Sequence, residues 1–506
     1  MGATGNISGI LDKDKQDLIN TIGQGPDISY RHLTIPSLDN CQALIVYVKG
    51  LANTTELEDS IIAPLTTPAP ALAQDAQQNQ SDKVSALMKY GLSIADVTPS
   101  KLWADICDHI VSGDSVLFMD QSDTALILAN RGWKQRSISE PTTEVESRGP
   151  KDCFLEDIMS NMGLIRRRIR DYNLRFEGFK IGDRSKTDVV IAYIEDLVSE
   201  SLLNEVRTRL GRIKTDGISN SSAVEEYIQD SPFSIFPQTE HTERPDRGAA
   251  ALLEGRIVIL VDNAPFQIIV PATFWSFIQV PGDYYARYII GTFWRWIRLF
   301  AIFLTISSSS AYVLLTSFHQ EMLPTSLALK VAAGRMGVPF PAAMEAFVME
   351  IIFEIMTEAG LRMPKALGQT VSIIGTLVIG QGAVMAGLVG PALVIAVAIG
   401  AIASFAIPSF SMSNSIRLLR FPLLFSSAVF GLFGYLGGVI LITIYLMSLR
   451  SFGTPFYAPI GPFIREDLKD TLVRVPRWQM ITRPWFARPK DKPRQAPDLK
   501  PKPDPQ

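Results

Sequence analysis

The sequence predicts an α/β N-terminal region of two small subdomains, expected in the cytosol, joined to an all-α polytopic transmembrane bundle. Three observations lead there. About 295 residues of mixed polar sequence come first. Short apolar runs rich in β-branched residues alternate in that half with stretches of helical periodicity. Four long apolar runs then follow, 296–316, 368–390, 391–408 and 421–449, each close to the roughly 20 helical residues that cross a hydrocarbon core.

Taken in order, residues 1–30 are polar and expected to be flexible. A first subdomain over 31–150 carries predicted strands at 42–48, 115–119 and 125–129, a helix over 100–111, and an Ala-, Pro- and Gln-rich surface loop at 66–81. A second, over 151–285, carries helices over 155–170 and 199–213 and strands at 174–179, 189–193, 256–261 and 266–270. The last two strands form a hairpin around Asp262-Asn263-Ala264-Pro265. The proline-bearing stretch 231–247 reads as irregular surface chain. A connector, 271–288, is rich in aromatic rings (Phe274, Trp275, Phe277, Tyr284, Tyr285, Tyr288) that suit either a headgroup zone or a packing seam. The transmembrane domain spans 286–450, with about four crossings and an amphipathic helix near 342–359. A basic, proline-rich tail, 451–506, ends the chain; from residue 475 it holds eight Lys/Arg, three Asp and eight Pro.

The net charge of −3 decides nothing, because apolar and charged residues are segregated along the chain. Cys41, Cys107 and Cys153 show no CxxC spacing and read as inert thiols in a reducing compartment. Residues 1–20 lack the apolar core of a signal peptide, and Asn6 stands where myristoylation needs Ser or Thr. Basic residues are retained on the cytoplasmic side. Arg287, Arg295 and Arg298 at one end, with Arg450, Arg465 and Lys469 at the other, put both termini inside and require an even number of crossings. Arg417 and Arg420 oppose this count, falling in the loop that four spans place outside. A fifth span would move one terminus outside.

Within 365–390 a helical wheel gathers Lys365, Gln369, Ser372, Thr376, Gly380, Ala383 and Gly387 into one arc. Such a small, hydroxylated stripe fits a water-lined pore or a close packing face. Gly368, Gly375, Gly382 and Ala386 form a second stripe suited to packing. Ala392, Ala396 and Gly400, and then Gly434 with Gly438, repeat every four residues as helix-packing positions. Glu350, Glu354 and Glu358 share one face, a solvated acidic face that in an oligomer would attract cations. The basic run Arg166, Arg167, Arg168, Arg170, Arg175, Lys180, Arg184, Lys186 lacks a nucleic-acid motif and suits subunit contacts or anionic headgroups. No GxxxxGK[ST], HExxH or GxSxG occurs, and His32, His109, His241 and His319 lack metal-ligand spacing. The expectation is therefore a non-enzyme without cofactor, metal or nucleic-acid partner. The class stays open between ligand-gated channel or receptor subunit, secondary transporter and membrane scaffold; no internal duplication supports the transporter.

One resemblance narrows this. Arg148-Gly149-Pro150, Leu164-Ile165-Arg166-Arg167-Arg168-Ile169, Arg184-Ser185-Lys186-Thr187, Asp230-Ser231-Pro232-Phe233, Phe236-Pro237-Gln238-Thr239, Thr242-Glu243-Arg244-Pro245-Asp246 and residues 254–262 resemble the A subunit of GerA-type spore germination receptors. The likeness continues through Gly337-Val338-Pro339-Phe340-Pro341, Glu354, Gly360-Leu361-Arg362, Pro364, Gly368 and Gly380-Gln381, from about residue 30 to about 465. It implies a multi-pass protein of the spore inner membrane with a transporter-like B subunit and a lipoprotein C subunit as partners. It implies a homo-oligomer that forms a nutrient-gated ion channel triggering ion release at germination; the alternative within the family is an accessory protein linked to dipicolinate release.

Overall fold

The structure, a computed structural model, describes residues 5–70, 72, 83–132, 141, 144, 146, 148–362 and 380–501. The chain divides into two compact units, one of Met1–Pro232, Thr239–Pro271 and Met480–Gln506, the other of Phe233–Gln238 and Ala272–Gln479.

The first unit holds two five-stranded sheets, and every pairing is antiparallel. Its first sheet runs β1-β2-β4-β5-β3, from β1 (Ile28–Ile35), β2 (Cys41–Val48), β3 (Val97–Ser100), β4 (Ser115–Met119) and β5 (Ala125–Leu128). Successive strand side chains point to opposite faces. Leu44, Val46, Val116 and Phe118 meet α1 (Leu11–Ile22) and the later helix Trp103–Ser112 on one side. Ala43, Ile45, Leu117 and Leu126 meet Leu57, Ile61, Leu65 and, from α2 (Lys83–Tyr90), Leu87 on the other. Both faces are covered, which is why these strands read as unbroken apolar runs. The helix Trp103–Ser112 is α3.

The expectation of a loose N-terminus is corrected here. Leu11, Leu18 and Ile22 form a buried helical stripe, and the buried Asp14 carboxylate accepts the Ser8 and Gly9 amides at 2.8 and 3.1 Å. Five Asp and Lys residues between the apolar positions disguised that stripe.

The second sheet runs β6-β7-β9-β10-β8: β6 (Leu174–Ile181), β7 (Thr187–Ile194), β8 (Glu240–Thr242), β9 (Ile257–Val261) and β10 (Gln267–Val270). Helices α4 (Ile158–Arg168), α5 (Glu200–Gly211), α6 (Ser221–Ile228) and α7 (Pro245–Leu253) belong to it. Ile158, Met162, Ile165, Ala249 and Leu252, from α4 and α7, pack against Phe176, Val190, Val258 and Leu260 of the sheet. The expected β9–β10 hairpin is present, with Asn263 at φ 60° in its turn. The stretch 231–247 is less irregular than expected: β8 lies on the sheet edge, and Pro245 opens α7 at a position where its missing N–H leaves no bond unmade.

The second unit is helical: α8 (Tyr288–Ser317), α9 (Thr325–Arg335), α10 (Ala342–Arg362), α11 (Pro391–Ser404) and α12 (Phe410–Ser448), then a short hairpin of β11 (Arg450–Ser451) and β12 (Thr454–Pro455). Among the described residues α8 and α12 are long and apolar enough to cross a membrane. Drawn straight, the 39 residues of α12 would extend about 58 Å. They do not. Gly431 has φ 58° and ψ −133°, a backbone state reserved for glycine, and beyond it the Ser426 hydroxyl donates to the Gly434 carbonyl at 2.9 Å. Residues 410–430 and 432–448 are therefore the two arms of an antiparallel helical hairpin, not the single crossing expected over 421–449.

Helix directions follow from the contacts. Phe318, just past α8, sits against the Gly431 tip, while Leu299, Ile302 and Ile306 share a cluster with Met412, Ile416, Ile442 and Leu446. The first arm thus runs parallel to α8 and the second antiparallel to it. Helix α11 is also antiparallel to α8, with Leu393 and Val397 near Tyr312 and Gly400 against Leu304 and Ser308. At 14 residues it spans only about 21 Å, less than the span expected over 391–408.

Candidate functional site: a charged seam in the helical unit

Polar side chains on α8 point inward. Thr305, Ser307, Ser309, Ser310 and Thr316 are buried, whereas Phe293, Trp296, Phe300 and Phe303 of the same helix are exposed. From α10, Glu350 is fully buried; Ser309 donates to its Oε1, and Arg420 Nη1 from the first arm of α12 lies 2.8 Å from its Oε2. One turn along, Glu354 faces Arg417 at 3.3 Å and Arg420 at 3.7 Å. Arg420 has no exposed surface and lies 5.7 Å over the Phe353 ring and 6.0 Å over Phe421. Two carboxylates one helical turn apart thus meet two guanidinium groups nearly one turn apart.

At 2.8 Å and an effective dielectric near 20, the Glu350–Arg420 attraction is roughly 6 kcal/mol. Desolvating two ions costs several kcal/mol each. The terms nearly cancel, so the pair fixes which helix faces which more than it adds stability. Its hydrogen bonding is incomplete: Nε, Nη1 and Nη2 of Arg420, Oε2 of Glu350 and Glu354, and the hydroxyls of Ser308, Ser310 and Ser427 are buried without an aligned partner among the described residues. A second ion pair, Arg335–Glu345 at 3.1 Å, is tied to the start of α11 by the Gly390 amide, which donates to Glu345 Oε2 at 2.9 Å.

These positions correct the reading of Glu350, Glu354 and Glu358 as a solvated, cation-attracting face. The first two are opposed by arginines inside the unit, and exposed Glu358 pairs with Arg362 at 2.6 Å, so their charge is compensated locally. Arg417 and Arg420, assigned above to an outer loop, are in a helix. The matched spacings of 350/354 and 417/420 were a usable signal that the loop assignment hid.

Gln369, Ser372 and Thr376 of the expected pore stripe, and Lys365, Gly368 and Gly375 beside it, lie outside the described residues. Gly380 and Ala383 are half-buried, Ala383 against the cluster of Tyr312, Leu393 and Val397. Gly387 falls in a turn with φ 68°, after a short helix, Gly382–Met385, so the helix expected to reach Gly390 stops earlier. Gly382 and Ala386 are exposed, and a Cβ on Gly382 would meet nothing within 4 Å, which removes the close packing expected of them. Ala392 and Ala396 are half-buried against the same cluster as Ala383. Close approach is plain at three glycines: a Cβ at Gly400 would lie 2.3 Å from Ser308 Oγ, at Gly434 2.0 Å from the Ser426 carbonyl oxygen, and at Gly438 2.6 Å from Leu423 Cδ1.

The motifs behind the resemblance build a second network, in the sheet unit. Arg244 pairs with Asp246 at 2.9 Å and donates to the Pro150 carbonyl at 2.9 Å. Glu240 bonds Arg247 and Arg256 at 2.5 and 2.6 Å, and Arg247 also bonds Glu144 at 2.8 Å. Burial pushes the Glu240 carboxyl up, but the two guanidinium groups outweigh it and hold the group below its ordinary 4.5. The basic run is likewise internal in part: Arg166 on α4 is buried 2.7 Å from Asp27 beside β1, and Arg168 pairs with Asp152 at 2.5 Å. The buried members join chain segments, while Arg167, Arg170, Lys180, Arg184 and Lys186 are exposed.

Residues 16–486 match the family described as Bacillus/Clostridium GerA spore germination protein. The chain is 41% identical to Spore germination protein KA of Bacillus subtilis (strain 168), covering 98% of this chain and 90% of that one. It is equally 41% identical to the uncharacterized membrane protein YfkQ of the same organism, over 87% and 84%. Among solved structures, the N-terminal domain of the A subunit of the Bacillus megaterium spore germinant receptor GerK3 is similar at 29% identity and a TM-score of 0.41, over 54% of this chain and 98% of that one.

Proposed function

Because this chain belongs to the Bacillus/Clostridium GerA spore germination protein family, we propose that it is the membrane-embedded A subunit of a spore germinant receptor and forms an oligomeric, nutrient-gated ion channel. The observation that carries the membrane part is the inverted polarity of the helical unit. Phe293, Trp296, Phe300, Phe425, Phe433 and Ile440 are exposed, while hydroxyls and ion pairs are buried among the apolar clusters of the interior. In water that arrangement is unfavourable on both counts; in a bilayer acyl chains cover the rim, and interior polar groups satisfy one another or hold water.

The channel part rests on the sequence stripe Gln369, Ser372, Thr376, Gly380, Ala383, Gly387. Thr376→Phe should abolish germinant-triggered potassium release from spores while the protein accumulates as the parent does; normal release would remove the stripe. Partners on this reading are a transporter-like B subunit and a lipoprotein C subunit, and nutrient preference should follow the B subunit when B subunits are exchanged. Retention of the original preference would locate recognition in this chain. The proposed location is the spore inner membrane, with the sheet unit and the tail on the cytoplasmic side.

A further inference from the structure

We propose that the Glu350–Arg420 and Glu354–Arg417 pairs are a releasable latch holding α10 against the first arm of α12, and that its release opens the channel proposed above, on which reading this inference rests. Four observations support a latch over a plain brace. Glu350 is the last buried side chain of α10 among the described residues; from Ile351 to Gly360 the helix is half-buried or exposed. The helix is thus fully packed at Ala342, Glu345, Ala346, Met349 and Glu350, while beyond them half-buried Ile352 and Phe353 and the Glu354 pair itself hold it, ahead in sequence of the stripe assigned to the pore.

The pairs are also poorly aligned. All three guanidinium nitrogens of Arg420 and Oε2 of both glutamates lack aligned hydrogen bonds. A buried pair of this kind gives geometric specificity at little net stability, so it can be exchanged for another arrangement at modest cost. Ser310 on α8 and Ser427 on the first arm of α12 are fully buried, with hydroxyls that lack an aligned partner among the described residues and so are open to a new contact. Finally, two acids and two bases face one another among the described residues, and Glu350, Arg417 and Arg420 are buried, so parting the helices demands that these three be rehydrated together.

Arg420 and Glu350 are positioning residues on this account. The test is basal potassium efflux from liposomes of phosphatidylcholine and phosphatidylglycerol carrying the full chain, with no germinant added. Glu350→Gln should raise basal efflux about tenfold, as expected when about 1.4 kcal/mol of closed-state contact is lost. Exchanging the charges, Glu350→Arg with Arg420→Glu, should return efflux toward the parent level, which assigns the effect to the pair and not to either side chain alone. Glu354→Gln, at a side chain 38% exposed, supplies a milder variant if Glu350→Gln fails to accumulate. Parent-like efflux from well-incorporated single variants overturns the latch, and so does failure of both to accumulate, which marks a brace. Thr376→Phe in the same liposomes separates the two claims: if it abolishes the raised efflux while exchange does not rescue, the latch fails and the channel stands; if efflux is untouched by Thr376→Phe, the pore assignment fails.

Discussion

Arginine 166 shows how a residue can be visible in a sequence and still be misjudged. In a run of basic residues it looks like surface charge. In the fold it is 1% exposed, 2.7 Å from Asp27, and its guanidinium lies 5.2 Å over the Phe176 ring. Removing one member of such a pair strands the other, so Asp27→Asn or Arg166→Met should each destabilise the sheet unit by about 3–5 kcal/mol, read by denaturant unfolding of the full chain in detergent. The double change Asp27→Leu with Arg166→Met should recover most of that loss. A single variant as stable as the parent would show that the pair is solvated. At Glu240 the readout is pH. Its folded pKa lies below the ordinary 4.5, so its contribution is complete above that value and disappears as pH falls through the lower folded value. Glu240→Gln should be less stable than the parent at neutral pH and lose less on acidification below 4.5; parallel acid-unfolding curves would remove the ion pairs as the cause.

Helix α12 is the element at which sequence and structure part most clearly. Its apolar composition was legible, and so was the small-residue spacing of Gly434 and Gly438. Neither reveals that the partner of those glycines is the same helix returning on itself. Gly434→Ala would drive a Cβ to 2.0 Å from the Ser426 carbonyl oxygen, which is backbone and cannot swing aside. It should block accumulation of the protein, whereas Gly437→Ala, with nothing within 4 Å, should be neutral on immunoblots of membrane fractions. The hairpin also makes a topological claim. In a background lacking the three native cysteines, a cysteine at Phe433 near the tip and one at Phe463 beyond the second arm should react with an impermeant thiol reagent from opposite sides of the membrane. Labelling of both from one side would mean that the hairpin does not cross.

For the whole molecule, the tail has a place that composition did not suggest. Arg483 donates to the Leu253 carbonyl at 3.0 Å, the Lys490 amide donates to that of Leu197 at 2.9 Å, and Arg256 lies 5.6 Å over Phe486, all within the sheet unit. The chain thus enters the helical unit from the sheet unit and comes back to it. Truncation after Gln479 should speed hydrogen exchange at the amides of 195–200 and 253–256 without changing the helical unit; unchanged exchange there would mean the tail rests on the surface without binding it. The family match to residue 486 extends into this clasp, beyond the end near 465 expected from motifs alone.

By itself the sequence determined what short-range chemistry can carry: strands buried on both faces, the β9–β10 hairpin, an apolar second half, and motifs specific enough to name a family. Those signals are local, because hydropathy, β-branching and turn residues act within a few positions of one another. Partnership across the chain was decided only by tertiary structure. Glu350 and Glu354 looked solvated until Arg417 and Arg420 faced them, and 421–449 looked like one crossing until Gly431 reversed it. A charge's worth depends on what stands a few ångströms away, and a helix that doubles back has the same composition as one that runs straight.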